Sequence, residues 1–332
     1  MRRSALYGTG ALVLAAGIAA APVAAGAQEP TEAKELLLAA DFAGDRLDDP
    51  AFIALGDACL TGMPADQADS GFAACDTPEG QGPEPGHVPG YLQLTDARYR
   101  TTGGILYDKA LEPKGDIEIT FAQYQYGGTG ADGISFFLID GEANPTDVGA
   151  YGGSLGYAQH EDIPGIEGGY LGLGLDAWGN FSADTENRGN NCPEDQRSPE
   201  HLTVELNRAP DNVALRGPGQ GTEGYCLLAT TATDEKIGEY DLGEVYGSSF
   251  DESLNSDDLA DAKRLVKLKV TDDDHPKVTV DIDFLDGDGW NRVLEAQMED
   301  PAPDTFKFGF ASSTGLENDT HLIRHLRVET FA

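Results

Sequence analysis

The stretch LGLGLDAWGNFSAD (residues 171–184) begins as an alternating strand and turns polar at Asp176; Trp178, Gly179, Asn180 and Asp184 follow within one loop. Leucine at every second position marks a strand that faces a core. The polar end allows two readings. Asp, Asn and Gly dominate ordinary turns. The same residue types are also oxygen donors for calcium, which takes about six to eight oxygens from carboxylates, amides, backbone carbonyls and water. Asp176 and Asn180 frame a D-x-x-x-N segment with the Trp178 carbonyl between them, Asp184 follows, and Gly179 lets the chain turn tightly.

Working outward, the same period of two recurs in DIEITFAQYQY (residues 116–126), VKLKV (266–270), VTVDIDF (278–284), FKFGF (306–310) and HLIRHLRV (321–328). GISFFLI (133–139) is apolar on both faces and predicts a central strand. Gly, Pro, Asp and Asn clusters separate these runs. Many strands with few helices predict an all-β sandwich or jelly roll. DIDFLDGDGW (281–290) departs from the EF-hand order and reads as a hairpin with a D-G turn, returned by WNRVLEA. Three segments read as loop insertions: residues 61–90, 183–208 and 234–262, the last ending in DESLNSDDLADAKRL, which could form a short helix.

The chain opens with Arg2 and Arg3, an Ala-rich apolar run and AGA before Gln28, the layout of a secretory signal peptide over residues 1–27. The remaining residues, 28–332, suit one large all-β domain. A formal charge of −36, from 58 acids against 22 Lys and Arg, repels nucleic acid and anionic membranes and attracts cations. No later run is apolar enough for membrane insertion. The chain ends just after its last strand, which favours a freely secreted, extracellular product. Four cysteines fit an oxidising compartment. Three pairings are open; Cys59 with Cys75 and Cys192 with Cys226 is preferred, because each would staple a Gly- and Pro-rich loop.

Four segments in this order resemble the L-type lectins: legume lectins, the cargo lectins of the secretory pathway and related bacterial domains. ADGISFFL resembles the family's A-D-G-x-x-F-F-x, GGSLG its glycine-amide loop, LGLDAWGN its V-E-x-D-x-[FY]-x-N metal strand, and FGFASSTG its VGFSAxTG, after which a specificity loop follows. The resemblance covers the chain from about Leu36 to its C-terminus. It implies a concanavalin A-like jelly-roll sandwich, glycans or glycoconjugates as partners, and a bacterial secreted protein; a homo-oligomer is compatible with it. It assigns sugar contacts to Asp132, Gly153, Asn180, Gly315 and Leu316, and calcium ligands to Asp176, the Trp178 carbonyl, Asn180 and Asp184. It implies a cis Ala131–Asp132 peptide and an aromatic stacked under the sugar, for which Trp178, Tyr151 and Tyr157 are candidates. Two departures stand out. Gly174 replaces the Glu that holds a second, transition metal in legume lectins, so that site is not expected. Glu186 and Asp211 compete with Asp184 as the last calcium ligand.

Two other classes are weighed against the lectin. A glycoside hydrolase of the same architecture needs two suitably placed carboxyls, and the β-glucanase pattern E-x-D-x-x-E has Gly where its first Glu would stand. The histidines form no H-E-x-x-H, and G-x-S-x-G is missing. A structural or adhesive sandwich without a small ligand is the third class. NFS (180–182) and NDT (318–320) match glycosylation acceptors. A sugar on Asn180 would block the site, so the lectin reading predicts a host that leaves it bare.

Overall fold

The Gly133–Asp140 strand lies inside a nine-stranded sheet, paired antiparallel with Gly169–Asp176 on one side and Phe306–Ser313 on the other, as its two apolar faces require. This sheet continues through Thr102–Leu111 to Phe52–Gly56 at one edge, while Asn212–Arg216 pairs with the outer side of Gly169–Asp176. The second nine-stranded sheet runs Trp290–Gln297, Lys277–Asp283, Lys263–Val270, Asp116–Tyr126, Thr320–Phe331, Leu92–Thr95, Cys59–Leu60 and Ala73–Ala74, with Lys34–Ala40 also on Thr320–Phe331. The molecule is an all-β jelly-roll sandwich. The computed structural model describes residues 34–47, 49–67, 71–76, 80–83, 86 and 90–331. The expected signal peptide over residues 1–27 lies outside them, as does part of segment 61–90. No helix among the described residues is long and apolar enough to cross a membrane.

Between the sheets, alternate side chains interdigitate. Phe121 stacks on Phe136 at 6.1 Å and meets Phe310 edge-on at 4.8 Å, joining the two sheets through aromatic contact. Burying such a ring contributes about 1.5–3 kcal/mol. The other face of the first sheet is also covered. Phe137, Leu155, Tyr157, Phe181, Ala214 and Tyr225 form a second apolar cluster there. That outer layer explains why every residue of Gly169–Asp176 is buried, where alternation alone predicts one solvent face.

Several sequence expectations hold. Lys277–Asp283 and Trp290–Gln297 form the antiparallel hairpin. Both nearest-neighbour disulfides, Cys59–Cys75 and Cys192–Cys226, are formed. Others need correction. Segment 234–262 contributes a two-stranded sheet, Ala232–Tyr240 with Gly243–Ser248, and no short helix follows it. The residues after 250 turn instead, because Ser253 spends its hydroxyl on Asp211 and Asn255, the local side-chain bonding that competes with a helix. After Phe306–Ser313 the chain passes through the 314–319 loop and crosses to the second sheet as Thr320–Phe331.

A polar seam ties the sheets near this crossing. Thr95 Oγ1 meets Ser312 Oγ at 2.9 Å and His321 Nδ1 at 2.7 Å. Burial pushes the His321 pKa down to about 3. The unfolded chain therefore takes up a proton near pH 6.5 that the folded chain refuses until about pH 3. The stabilisation from neutral His321 is complete above pH 6.5 and declines as pH falls toward 3. His321→Asn should flatten this acid slope by an amount on the order of a few kcal/mol across the window, measured as the wild-type-minus-variant difference in urea unfolding at stepped pH.

Candidate functional site

The loops at one end of the first sheet converge on Asp132. The register places Gly133 opposite Asp176, so the end of one strand abuts the end of the next. The Ala131–Asp132 peptide is cis. The Asp132 amide donates to the Ser313 carbonyl at 3.1 Å, and its carbonyl accepts from the Trp178 amide at 3.0 Å. The preceding loop is clamped by the 315–320 loop: the Asn318 carbonyl accepts from the Thr129 and Gly130 amides, and Asp319 Oδ1 accepts from the Gly128 amide. Asp132 is 4% exposed, and its Oδ2 has no hydrogen-bond partner. Burial, with the charge of Asp176 behind it, pushes this carboxyl well above the usual carboxylate range.

Asn180 is the second open acceptor, since its Oδ1 is buried without a partner. It lies against the Gly152–Ser154 turn: a Cβ on Gly153 would sit 2.4 Å from Asn180 Cγ. A Cβ on Gly315 would lie 3.2 Å from Asp132 Oδ2. Asp132, Gly153, Asn180 and Gly315, named separately from sequence, thus meet in one place. Leu316, 73% exposed, and Tyr151, 39% exposed, project beside these loops. Tyr157 is not a stacking residue. It is buried beneath Gly172 with its hydroxyl on the Gly217 carbonyl. One face of Trp178 is covered by the Arg208 guanidinium, 3.7 Å from the ring centroid.

The expected calcium ligands are placed differently from the sequence reading. Asp176 is buried, and its two oxygens accept the Gly179 and Phe181 amides. Burial pushes its pKa up to about 6 against those bonds. The Trp178 carbonyl accepts Arg208 Nη1 at 3.1 Å. Asp184 is withdrawn into a buried ion pair with Arg216 at 3.0 Å and also accepts the Ser198 amide. Its competitors are engaged too: Glu186 by Arg188 and His160, Asp211 by Ser253 and Leu254. Only Asn180 Oδ1 among the four expected ligands is unclaimed, so this arrangement does not fit a calcium ion. Among the described residues no cluster of three or more His, Cys, Asp or Glu is placed to hold a metal.

Gly174 has a physical explanation beyond the missing ligand. A Cβ there would lie 2.2 Å from Cδ1 of Phe181, and one on Gly172 would lie 2.3 Å from Cδ1 of Tyr157. The Leu–Gly alternation therefore sends leucines into the core and leaves the outer face bare for two rings. Phe181 occupies the space a glutamate would need at 174.

Sequence reasoning missed three arginines. Arg188 and Arg216 are fully buried and Arg208 partly so. Arg188 Nε donates to the Ala183 carbonyl at 2.9 Å. Arg216 donates to the carbonyls of Phe181, Ala183 and Tyr225. The available signal was a basic residue closing the apolar strand NVALR (212–216) in a chain otherwise crowded with acids.

No protein-family model matches the sequence, and no curated protein does. Among solved structures, the chain is similar to the exoplasmic/lumenal domain of VIP36 in its Ca2+/Man3GlcNAc-bound form, at TM-score 0.45 and 14% identity, over 84% of this chain and 86% of that one. It is similar to peanut lectin with a nine-residue peptide, at TM-score 0.47 and 16% identity, over 89% and 98%. It is also similar to the lectin from Bauhinia forficata in complex with GalNAc, at TM-score 0.45 and 12% identity, over 90% and 98%.

Gly174→Ala should destabilise the fold by about 1–3 kcal/mol through overpacking against Phe181. Equilibrium unfolding in urea checks this, and Phe181→Leu in the same chain should recover part of the loss.

Proposed function

We propose that the protein is a secreted, non-catalytic carbohydrate-binding protein of the L-type lectin kind, built as one domain over residues 28–332. One observation carries the reading. Two buried acceptors, Asp132 Oδ2 and Asn180 Oδ1, have no protein partner, and they stand on loops that meet. Buried polar groups are almost always hydrogen-bonded, so two open acceptors on loops that meet mark a place for an external donor, beside Asp319 Oδ2 and Thr320 Oγ1, which are open on the neighbouring loop. A pyranose brings vicinal hydroxyls. Ionised Asp132 would accept two of them through charge-assisted bonds. The Asn180 side chain and the Gly153 amide would add polar contacts, and Gly315 leaves room beside Asp132. Tyr151 and Leu316 supply apolar surface for the C–H face of the sugar. The disulfides and the leader-like N-terminus support an exported protein.

A hydrolase would need a second working carboxyl near Asp132. Asp176, the carboxylate behind it, has both oxygens committed to backbone amides. Glu186 is paired with Arg188, and Glu317 is the remaining carboxyl whose charge reaches Asp132; an assay for cleavage products tests the non-catalytic reading.

The test is a glycan array that includes Man3GlcNAc- and GalNAc-bearing ligands, followed by titration of the strongest ligand. Asp132→Ala and Asn180→Ala should each weaken binding by about ten- to a hundredfold, the loss expected for charge-assisted or buried hydrogen bonds. Gly153→Ala should do the same by displacing Asn180. All three should keep a cooperative melt. Absence of any glycan signal from the wild type contradicts the proposal, and release of new reducing ends from polysaccharide contradicts its non-catalytic part.

A further inference from the structure

We infer that guanidinium groups, not a divalent cation, fix the loop that carries Asn180, and that Arg208 is its positioning residue. The inference rests on the carbohydrate-binding reading for its purpose but not for its geometry. The loop after Asp176 presents carbonyls at Trp178, Phe181 and Ala183, and each accepts from an arginine: Arg208 on Trp178, Arg216 on Phe181, and Arg188 and Arg216 together on Ala183. A calcium ion in such a loop would do the same job, gathering oxygens around a positive centre. Here the positive centres are already present and covalently attached.

Arg208 is the decisive one. Its guanidinium donates to the Trp178 carbonyl and lies over the indole, in range of the charges of Asp176, Glu317 and Asp211. Calcium on the Trp178 oxygen would share that atom with a fixed cation, and two like charges a few ångströms apart in a partly buried site repel. Arg208 is itself held from outside the loop. Its amide donates to the Glu244 carbonyl at 3.1 Å, its carbonyl accepts the Tyr246 amide at 2.8 Å, and Tyr240 lies 5.0 Å from its guanidinium. These residues belong to the acidic two-stranded sheet of segment 234–262, which thereby acquires a role as the support of Arg208. Ala209 and Pro210 continue the clamp. Gly179, at φ +97°, lies so close that a Cβ would meet the Ala209 carbonyl carbon at 2.0 Å, and the Ala209 amide donates to the Gly179 carbonyl at 2.7 Å.

The experiment uses the full secreted chain after chelation. Calcium chloride is titrated in by calorimetry, the melting temperature is measured with calcium and with chelator, and glycan binding is measured in both. The inference expects no saturable one-to-one heat, a melting temperature unchanged within about 1 °C, and equal glycan affinity. Arg208→Ala should weaken glycan binding at least tenfold while the melt stays cooperative, and should shift the Asn180 side-chain amide resonances without moving those of the sandwich core. Arg216→Ala is the poorer variant, because it strands buried Asp184. One-to-one calcium binding that raises the melting temperature by several degrees overturns the inference, as does unchanged glycan affinity in Arg208→Ala. If wild type binds neither calcium nor glycan, the inference stands and the carbohydrate reading falls. If glycan binding requires calcium, the reverse holds.

Discussion

Three guanidinium groups close on the backbone carbonyls of one loop, and the shape of the site follows from that contact. Residues 177–183 leave a fully buried strand and have no sheet partner of their own, so their carbonyls need donors. Arg216 answers with bonds to Phe181, Ala183, Tyr225 and Asp184, all between 2.8 and 3.1 Å. Burying a guanidinium is expensive unless its charge and its donors are matched. Asp184 supplies the counter-charge and three carbonyls take three of the four other donors. The same carboxylate is thereby removed from the ligand set that its spacing suggested.

The outer layer of the first sheet makes this possible. Tyr157 and Phe181 pack against Gly172 and Gly174, and Arg216 approaches the Phe181 ring at 5.5 Å. A bulkier outer face on this strand would lift both rings and the loop with them. The sandwich core, the glycine face and the arginine clamp thus form a sequence of supports, each fixing the next, that ends at Asn180 and Asp132. Strain in the opposite direction comes from Asp132 itself: its burial without a partner is unfavourable for the free protein. An external donor would relieve that, which is the physical basis of the proposed binding site.

Much of the sandwich was legible in the sequence, because strand periodicity is a local signal. The two-faced apolar run of 133–139 and the D-G hairpin after Asp283 can be read from neighbouring residues, whereas the disulfide pairing was a preference among three that the fold then selected. The meeting of Asp132, Gly153, Asn180 and Gly315 was legible only through family resemblance, since no spacing rule brings four separate loops together. The engagement of Asp184 was not legible. Its partner Arg216 is 32 residues away on another strand, and the choice between ligand and ion pair is made by tertiary contact. Tyr157 failed as a stacking residue for the same reason: a tyrosine beside a glycine-rich loop looks exposed until the Gly172 face is known to receive it. The acidic segment 234–262 looked like a solvated insertion, yet its strands hold Arg208, a role that no composition reveals.

The clamp is tested most directly by amide hydrogen exchange of residues 177–186 in chelator and in calcium. Arginine pinning predicts slow exchange at Gly179 and Phe181 in chelator, unchanged by calcium and accelerated in Arg208→Ala. Rapid exchange in chelator that slows when calcium is added would contradict the account.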